Sequence, residues 1–258
     1  MIKAIPLHPI RNLITLYTAF ALLLSVPLCI VGTGRKGSES FVSGLSPSEA
    51  SLLENIVFFG DSTTYHLLSR EVLPGGRASE QVWCPKNGTL LLTPAVASVT
   101  VLHPRHSEEI PLSSALALYR PKYFVITAGL NGAHTFTEER FCYAYRALIA
   151  AVRDSSADTV ILAQSIFPVG ENESAWTSLT PRELNLKIDL LNGYIRSLAE
   201  ESGIRFLNTQ EVLRDNDGFL WEEYHVGDGI HLSKAGYRAV LSYILASLAE
   251  TEVQHETA

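Results

Sequence analysis

The sequence predicts an α/β fold, in which a parallel sheet is covered by helices on both faces. Short apolar runs alternate along residues 51–250 with longer segments of helical periodicity. The runs are rich in β-branched and aromatic residues and are bounded by turn residues, as buried strands are. Strands that alternate with helices are typical of a parallel sheet covered on both faces. With 258 residues, 47% of them hydrophobic, the chain can bury a sizeable core.

Four apolar runs are predicted to be the strands of this sheet. They are NIVFFG (55–60), YFVITAG (123–129), TVILAQSI (159–166) and IRFLN (204–208), and TLLLT (89–93) is a fifth candidate. In such sheets the working groups gather at the carboxyl ends of the strands. We therefore expect a functional site in the segments that follow residues 59, 128 and 166, together with the loop that enters the last helix.

Three segments are predicted to be helices that cover the sheet. The first starts near Thr135, the second at Thr180 with a capping box and a proline in its first turn, and the third behind Ser233 as cap. Each has an apolar stripe at helical spacing. The stripes are Phe141, Tyr145, Leu148 and Val152; Leu184, Ile188, Leu191, Ile195 and Leu198; and Tyr237, Val240, Leu241, Ile244 and Leu248.

The N-terminal segment differs from the rest of the chain. No residue between Asn12 and Gly34 is charged, and about 20 apolar residues are enough to cross a bilayer as a helix. We predict a signal anchor or transmembrane segment at residues 1–34, which would attach the protein to a membrane. A signal peptide cleaved near Gly32 or Gly34 is the alternative. Either places the rest of the chain outside the cytoplasm.

Composition sets the remaining boundaries. Residues 35–50, rich in Gly and Ser, are predicted to be a linker, residues 51–250 the domain, and residues 251–258 a tail.

A net charge of −7 argues against a nucleic-acid partner. Three cysteines without a CxxC pair argue against a thiolate zinc site, and the spacing of HPRH (103–106) does not suit a metal. A bond between Cys84 and Cys142 stays open.

The stretch FFGDSTTYHLL (58–68) places Ser62 just beyond the first predicted strand. In one interpretation Asp61 or Ser62 caps the helix that follows. In the other, Ser62 is a nucleophile, which requires a base and an acid that orients the base. The stretch VGDGIHLSKAGY (226–237) supplies both, because Asp228 precedes His231 by three residues in a glycine-containing turn. His225 is a competing base.

A third segment, TAGLNGAH (127–134), could stabilise negative charge. Asn131 lies just past the end of a predicted strand, where a side-chain amide can donate to the oxygen of an acyl group. A simple turn is the alternative, since Asn and Gly both favour turns. Gly88, in CPKNGTLLLT, is the best-placed glycine for a second, backbone donor.

In this order, FFGDST, the GLN of TAGLNGAH, and DGIHL resemble the sequence blocks of the SGNH hydrolases, also called GDSL esterases and lipases. The resemblance covers residues 54–248 and implies a three-layer flavodoxin-like α/β/α fold. It implies Ser62 as nucleophile, His231 as base and Asp228 as its partner. The oxyanion hole would consist of the Ser62 and Gly88 N–H groups and the Asn131 side chain. One departure is Gly132, where an aspartate is common.

The resemblance implies acyl transfer to water without a metal or an organic cofactor. For a tethered esterase outside the cytoplasm we expect small acyl esters, O-acetyl groups above all, on cell-wall or exported carbohydrate. Trp83, Trp176 and Trp221 are candidates for stacking on a sugar, with packing in the core or rim as the alternative. Lipid esters, acyl transfer to a sugar, and a binding module without turnover are the other functions considered.

Overall fold

The structure is a computed structural model that describes residues 41–172 and 177–256. A parallel sheet of five strands forms the centre of this part of the molecule. The described strands are β1 Ile56–Gly60, β2 Val82–Trp83, β3 Thr100–Val101, β4 Ile110–Pro111, β5 Tyr123–Thr127, β6 Val160–Gln164 and β7 Arg205–Leu207. The central sheet has the order β2-β1-β5-β6-β7, while β3 and β4 form a separate antiparallel pair. Counted along the chain, the five central strands follow the flavodoxin-like order 2-1-3-4-5.

Six helices accompany the sheet in the described residues: α1 Pro47–Glu54, α2 Ser62–Ser69, α3 Leu112–Tyr119, α4 Glu138–Ser155, α5 Pro181–Ser202 and α6 Lys234–Glu256. Helices α3, α4 and α5 contribute to the hydrophobic core on one face of the sheet. Helices α1, α2 and α6 contribute to the core on the other face. The result is the three-layer α/β/α arrangement that the sequence predicts.

The strands alternate their side chains between these two cores. Phe59, Phe124 and Ile161 pack with α3, α4 and α5, whereas their chain neighbours Phe58 and Val125 pack with α1, α2 and α6. The apolar stripes predicted for α4, α5 and α6 are buried as well. The helices begin close to the predicted caps: α5 has the complete capping box of Thr180 and Glu183, while α4 begins behind Thr137 rather than Thr135.

The structure corrects the predicted boundaries of the domain. Within the predicted linker, residues 41–44 form a 3₁₀ turn, and α1 begins at Pro47 behind a capping box of Ser46 and Glu49. Phe41, Val42 and Leu45 pack against the core, so the chain is ordered well before residue 51. At the other end, α6 continues to Glu256, into the predicted tail. Ser43 and Gly44 belong to the 3₁₀ turn, and Ser46 is the cap of α1.

The candidate strand TLLLT (89–93) is not a strand in the structure. Leu90 and Leu92 are buried while Leu91 is exposed, so the segment alternates without pairing to the sheet. The edge position next to β1 belongs to β2, which is only two residues long. The apolar pattern therefore indicated a half-buried segment correctly, but the prediction that this segment is a strand was wrong.

Both described cysteines are buried and free. Cys84 belongs to the core that contains α6, and Cys142 to the core that contains α4. Because the sheet separates these two cores, the Cys84–Cys142 bond left open above does not form.

The predicted membrane segment at residues 1–34 lies outside the described residues, and so does Trp176. Within the described residues, no helix is both long and apolar enough to cross a membrane.

Candidate active site

The turn after β1 places Ser62 at the first position of α2. Asp61, not Ser62, is the N-cap of this helix, because its carboxylate accepts from Thr63 N–H at 2.9 Å. Gly60 leaves no room for a side chain, since a Cβ there would lie 2.0 Å from the Thr127 carbonyl oxygen. The Ser62 hydroxyl is thus freed from capping, and its N–H lies in the first turn, where amides have no partner inside the helix.

Asp61 is almost fully buried and connects two parts of the site. Its carboxylate accepts from the Thr63 N–H and hydroxyl, and also from the backbone N–H of Asn131. Burial raises the pKa of Asp61, although these hydrogen bonds act in the opposite direction. The residue therefore holds the start of α2 against the loop that follows β5.

His231 lies between Ser62 and Asp228. Its Nε2 is 3.2 Å from Ser62 Oγ, and its Nδ1 is 2.7 Å from Asp228 Oδ2. Asp228 Oδ1 accepts from the backbone N–H groups of Ile230 and His231, both at 2.9 Å. Burial raises the pKa of Asp228, but these amides and the His231 ring outweigh it, so the net pKa lies below the ordinary value. The carboxylate therefore stays ionised beside the ring, as an orienting acid must.

His225, the competing candidate for the base, bonds to the loop that follows it. Its Nδ1 accepts from the backbone N–H groups of Gly227 and Gly229, at 3.0 and 3.1 Å. A neutral imidazole whose Nδ1 accepts carries its proton on Nε2. The geometry therefore favours His231 as the partner of Ser62.

Asn131 lies beyond the end of β5, next to Asp61. Its amide Nδ2 donates to the Leu90 carbonyl at 3.1 Å, which uses one of its two hydrogens and leaves the other for a substrate. Gly132, the departure from the family pattern, has a left-handed φ of 82°, and a Cβ there would lie 2.8 Å from Leu91 Cδ1. Packing of Leu91 against Gly132 thus takes the place that an aspartate side chain would need.

The assignment of Gly88 to the oxyanion hole is corrected by the structure. The Gly88 N–H donates to the Pro85 carbonyl at 2.7 Å, which closes a turn with φ at 68°. An amide that already donates within its own turn does not point at a substrate oxygen. Gly88 instead lies beside the ring of Tyr65 in α2.

Sequence reasoning missed His66, whose ring lies 4.4 Å from that of His231 between centroids. Burial, together with the charges of His231 and Arg70, lowers the pKa of His66 to about 4, so this ring is neutral at neutral pH. One signal could have found it: His66 is four residues after Ser62, on the same face of α2. The neutral ring packs against His231 without competing for its proton.

The larger cavities lie away from Ser62. A cavity of about 490 Å³ is lined by residues around β6 and the start of β7, and one of about 410 Å³ by residues 71–76 and the start of α6. Beside Asp61 there is space of only about 10 Å³, enough for about one water molecule. Ser62 lines none of these three spaces.

Among the residues that the structure describes, no group of three or more His, Cys, Asp or Glu side chains could hold a metal ion. The histidines of HPRH belong to an aromatic cluster. His103 stacks on Tyr119 at 3.9 Å between ring centroids, and His106 bonds to the hydroxyl of the same tyrosine. Trp83, a candidate sugar platform, is buried beside them, whereas Trp221 is exposed.

A parallel α/β/α sheet that brings a serine, a histidine and an aspartate together at its carboxyl edge defines a serine hydrolase. A family model described as the GDSL-like lipase/acylhydrolase family matches residues 58–239. The chain belongs to this family, and it is an ester-hydrolysing serine hydrolase.

Solved structures with the same fold are distant in sequence. A candidate platelet activating factor from Streptococcus pneumonia is 21% identical, with a TM-score of 0.50 over 75% of this chain and 83% of that one. A candidate acylhydrolase from Bacteroides fragilis NCTC 9343 is 16% identical, with a TM-score of 0.50 over 76% of this chain and 86% of that one. Among curated proteins, none matches the chain significantly. At these identities the structures support the fold alone.

Proposed function

We propose that this chain removes small acyl groups, O-acetyl groups above all, from carbohydrate outside the cytoplasm, using Ser62, His231 and Asp228 as a catalytic triad. The observation that carries the proposal is the chain of contacts from Ser62 Oγ through the His231 ring to Asp228, at 3.2 and 2.7 Å. This order of nucleophile, base and acid is the one that acyl transfer needs.

In the proposed mechanism, His231 Nε2 takes the proton of Ser62 as Oγ attacks the ester carbonyl. The resulting oxyanion accepts from the Ser62 N–H and from the Asn131 side chain. The carbon–oxygen bond of the ester then breaks, and His231 returns the proton to the leaving alcohol. Water repeats the sequence on the acyl-enzyme, which releases the acid and restores Ser62.

Exposed side chains near the site fit an ester carried by a bulky alcohol. Tyr65 of α2 and Leu91, which lies against Gly132 next to Asn131, are both exposed and available to contact a polymer that carries the ester. Location outside the cytoplasm is part of the proposal and rests on the uncharged stretch between residues 12 and 34.

The test compares p-nitrophenyl acetate with the corresponding octanoate and palmitate, and then measures acetate released from acetylated polysaccharides. Using the full chain, we expect the acetyl ester to be preferred. Activity should fall about 10³-fold or more in Ser62→Ala and His231→Ala. Ser48→Ala and His106→Ala, outside the site, are the matched controls and should retain activity. A strong preference for palmitate would contradict the substrate proposal, and full activity of Ser62→Ala would contradict the triad.

A further inference from the structure

We infer that His225 is a positioning residue, whose side chain holds the loop that presents Asp228 and His231 to Ser62. This inference rests on the proposed triad, because it concerns how that triad is held. His225 does not touch the reacting atoms and acts only through the loop that follows it.

The two hydrogen bonds of His225 flank Asp228 on both sides. Its Nδ1 accepts from Gly227 N–H at 3.0 Å and from Gly229 N–H at 3.1 Å. Both glycines have left-handed backbones, with φ of 98° and 71°, so the loop turns sharply at each of them. A single side-chain acceptor thus closes a turn whose middle residue is Asp228.

Asp228 in turn accepts hydrogen bonds from the backbone of the residues that follow it, up to His231. Its Oδ1 accepts from the N–H groups of Ile230 and His231, while its Oδ2 is left for the His231 ring. The position of the carboxylate therefore depends on the backbone at residues 227–229, which His225 fixes. Without the Nδ1 acceptor, the amides of Gly227 and Gly229 would have to turn toward water, and the direction of Asp228 would no longer be set.

The loop is also held from outside, by the segment that follows β6. From that segment, the Gly170 N–H donates to the Gly229 carbonyl at 2.7 Å; within the loop, the Val226 N–H donates to the His231 carbonyl at 3.1 Å. A Cβ on Gly170 would lie 3.0 Å from Gly229 Cα and 3.3 Å from His225 Nε2. Ring, loop and Gly170 are packed directly against one another, so Gly170→Ala offers a second way to displace the same loop.

The decisive comparison is between His225→Asn, His225→Gln and His225→Ala. Asparagine places its Oδ1 where histidine has Nδ1 and can accept both amides, whereas glutamine fills the space with its acceptor one bond too far out. We expect kcat for a short-chain ester to fall about 10- to 100-fold in the Ala and Gln variants, with KM changed less than about twofold. His225→Asn should remain within about threefold of the parent, and Gly170→Ala should lower kcat in the same way.

A second readout does not depend on turnover. Nitrogen-15 NMR of the histidine side chains reports the fraction of His231 that carries its proton on Nδ1, toward Asp228. This fraction should fall in His225→Gln and His225→Ala and stay at the parental value in His225→Asn. If the parent shows no esterase activity but His231 responds in this way, the proposed function fails while the positioning role stands. Thermal unfolding identifies variants that do not fold, and if His225→Ala is one, His225→Gln replaces it.

Two outcomes would overturn the inference. One is parental kcat and a parental His231 spectrum in a folded His225→Gln variant. The other is damage in His225→Asn equal to that in His225→Gln, since an acceptor at the right position would then make no difference.

Discussion

Ser62 Oγ and His231 Nε2 lie 3.2 Å apart, although 169 residues separate them along the chain. Two further contacts tie α2 to the chain around His231. Arg70 Nε donates to the Leu232 carbonyl at 3.1 Å, and the Tyr237 hydroxyl donates to the Thr63 carbonyl. Both contacts involve residues that follow His231 in the chain, so they hold His231 near Ser62, and each of them can be removed separately.

Removing the Tyr237 hydroxyl should cost stability without leaving a cavity. In Tyr237→Phe the buried Thr63 carbonyl loses this partner, and we expect a loss of about 1–3 kcal/mol in the free energy of unfolding. Tyr145→Phe is the matched control, because its buried hydroxyl has no hydrogen-bond partner among the described residues. Urea unfolding should show that variant to be as stable as the parent or more so. Equal losses in the two variants would contradict the assigned role of the Tyr237 bond.

Arg70→Ala should loosen the His231 loop. We expect kcat to fall about tenfold and the free energy of unfolding to fall by about 1–2 kcal/mol, since a charged donor to the Leu232 carbonyl is lost. Arg77→Ala removes an exposed ion pair with Glu71 and should change stability by less than about 1 kcal/mol. Kinetics and urea unfolding of both variants check this. A kcat unchanged in Arg70→Ala would show that the loop is held without it.

Asp61→Asn and Asp61→Ala separate the charge of this residue from its hydrogen bonds. Asparagine keeps an acceptor oxygen and is an equally good N-cap, so we expect stability within about 1 kcal/mol of the parent. Alanine leaves the N–H groups of Thr63 and Asn131 without their acceptor and should cost about 2–3 kcal/mol. Thermal and urea unfolding measure both effects. If the two variants were equally unstable, the buried charge rather than the hydrogen bonds would hold the turn.

Stability should fall in acid because of His66. Its pKa is about 4 in the folded protein and about 6.5 when unfolded, so the unfolded chain binds the proton more readily between these values. The free energy of unfolding should therefore drop as the pH falls from 6.5 to 4. For this half-buried ring the drop is on the order of 1–2 kcal/mol once solvent screening is allowed for. Urea unfolding at pH 7 and 4.5 should show a smaller difference in His66→Gln, and an unchanged difference would refute the assignment.

Gly132→Ala should destabilise the Asn131 loop by about 1–3 kcal/mol, because the residue has a left-handed backbone and its Cβ would press on Leu91. Gly132→Asp, which restores the family residue, should be at least as damaging for the same reason. Gly193→Ala is the control: this glycine lies inside α5 with nothing within 4 Å of a new Cβ, so stability should rise by about 0.5–1 kcal/mol. Thermal unfolding distinguishes the two positions, and a stable Gly132→Asp would mean that Leu91 moves aside without cost.

Local signals account for the part of the fold that the sequence predicted. The capping box at Thr180, the proline behind it and the apolar stripe of α5 are all readable within a few turns of one helix. Three of the four predicted strands, β1, β5 and β6, are largely buried, so their hydrophobic runs are nearly unbroken. Ser62 stands out in the sequence because it follows a buried strand, and Asp228 and His231 stand out because they lie in a glycine-containing turn just before a capped helix.

Long-range packing accounts for the rest. The strand β2 is two residues long and exists because it pairs with Phe58 and Phe59, which no local pattern reveals. The turn at Gly88 uses its N–H for Pro85, a choice that composition does not report. The contact between His66 and His231 joins two segments that only the folded sheet brings together.

The order of elements also has a consequence for biosynthesis. Of the proposed triad, a growing chain contains the nucleophile Ser62 early, behind the first strand, but receives the base His231 only just before α6. The serine therefore remains without its base through most of translation, whatever the rest of the chain has already folded into. With the proposed triad, hydrolysis begins only once His231 has reached Ser62, and α6 helps to hold it there by packing against α1 and bonding to Thr63. Release of ester hydrolysis products by a nascent or proteolysed chain is thus a measure of whether its last helix is in place.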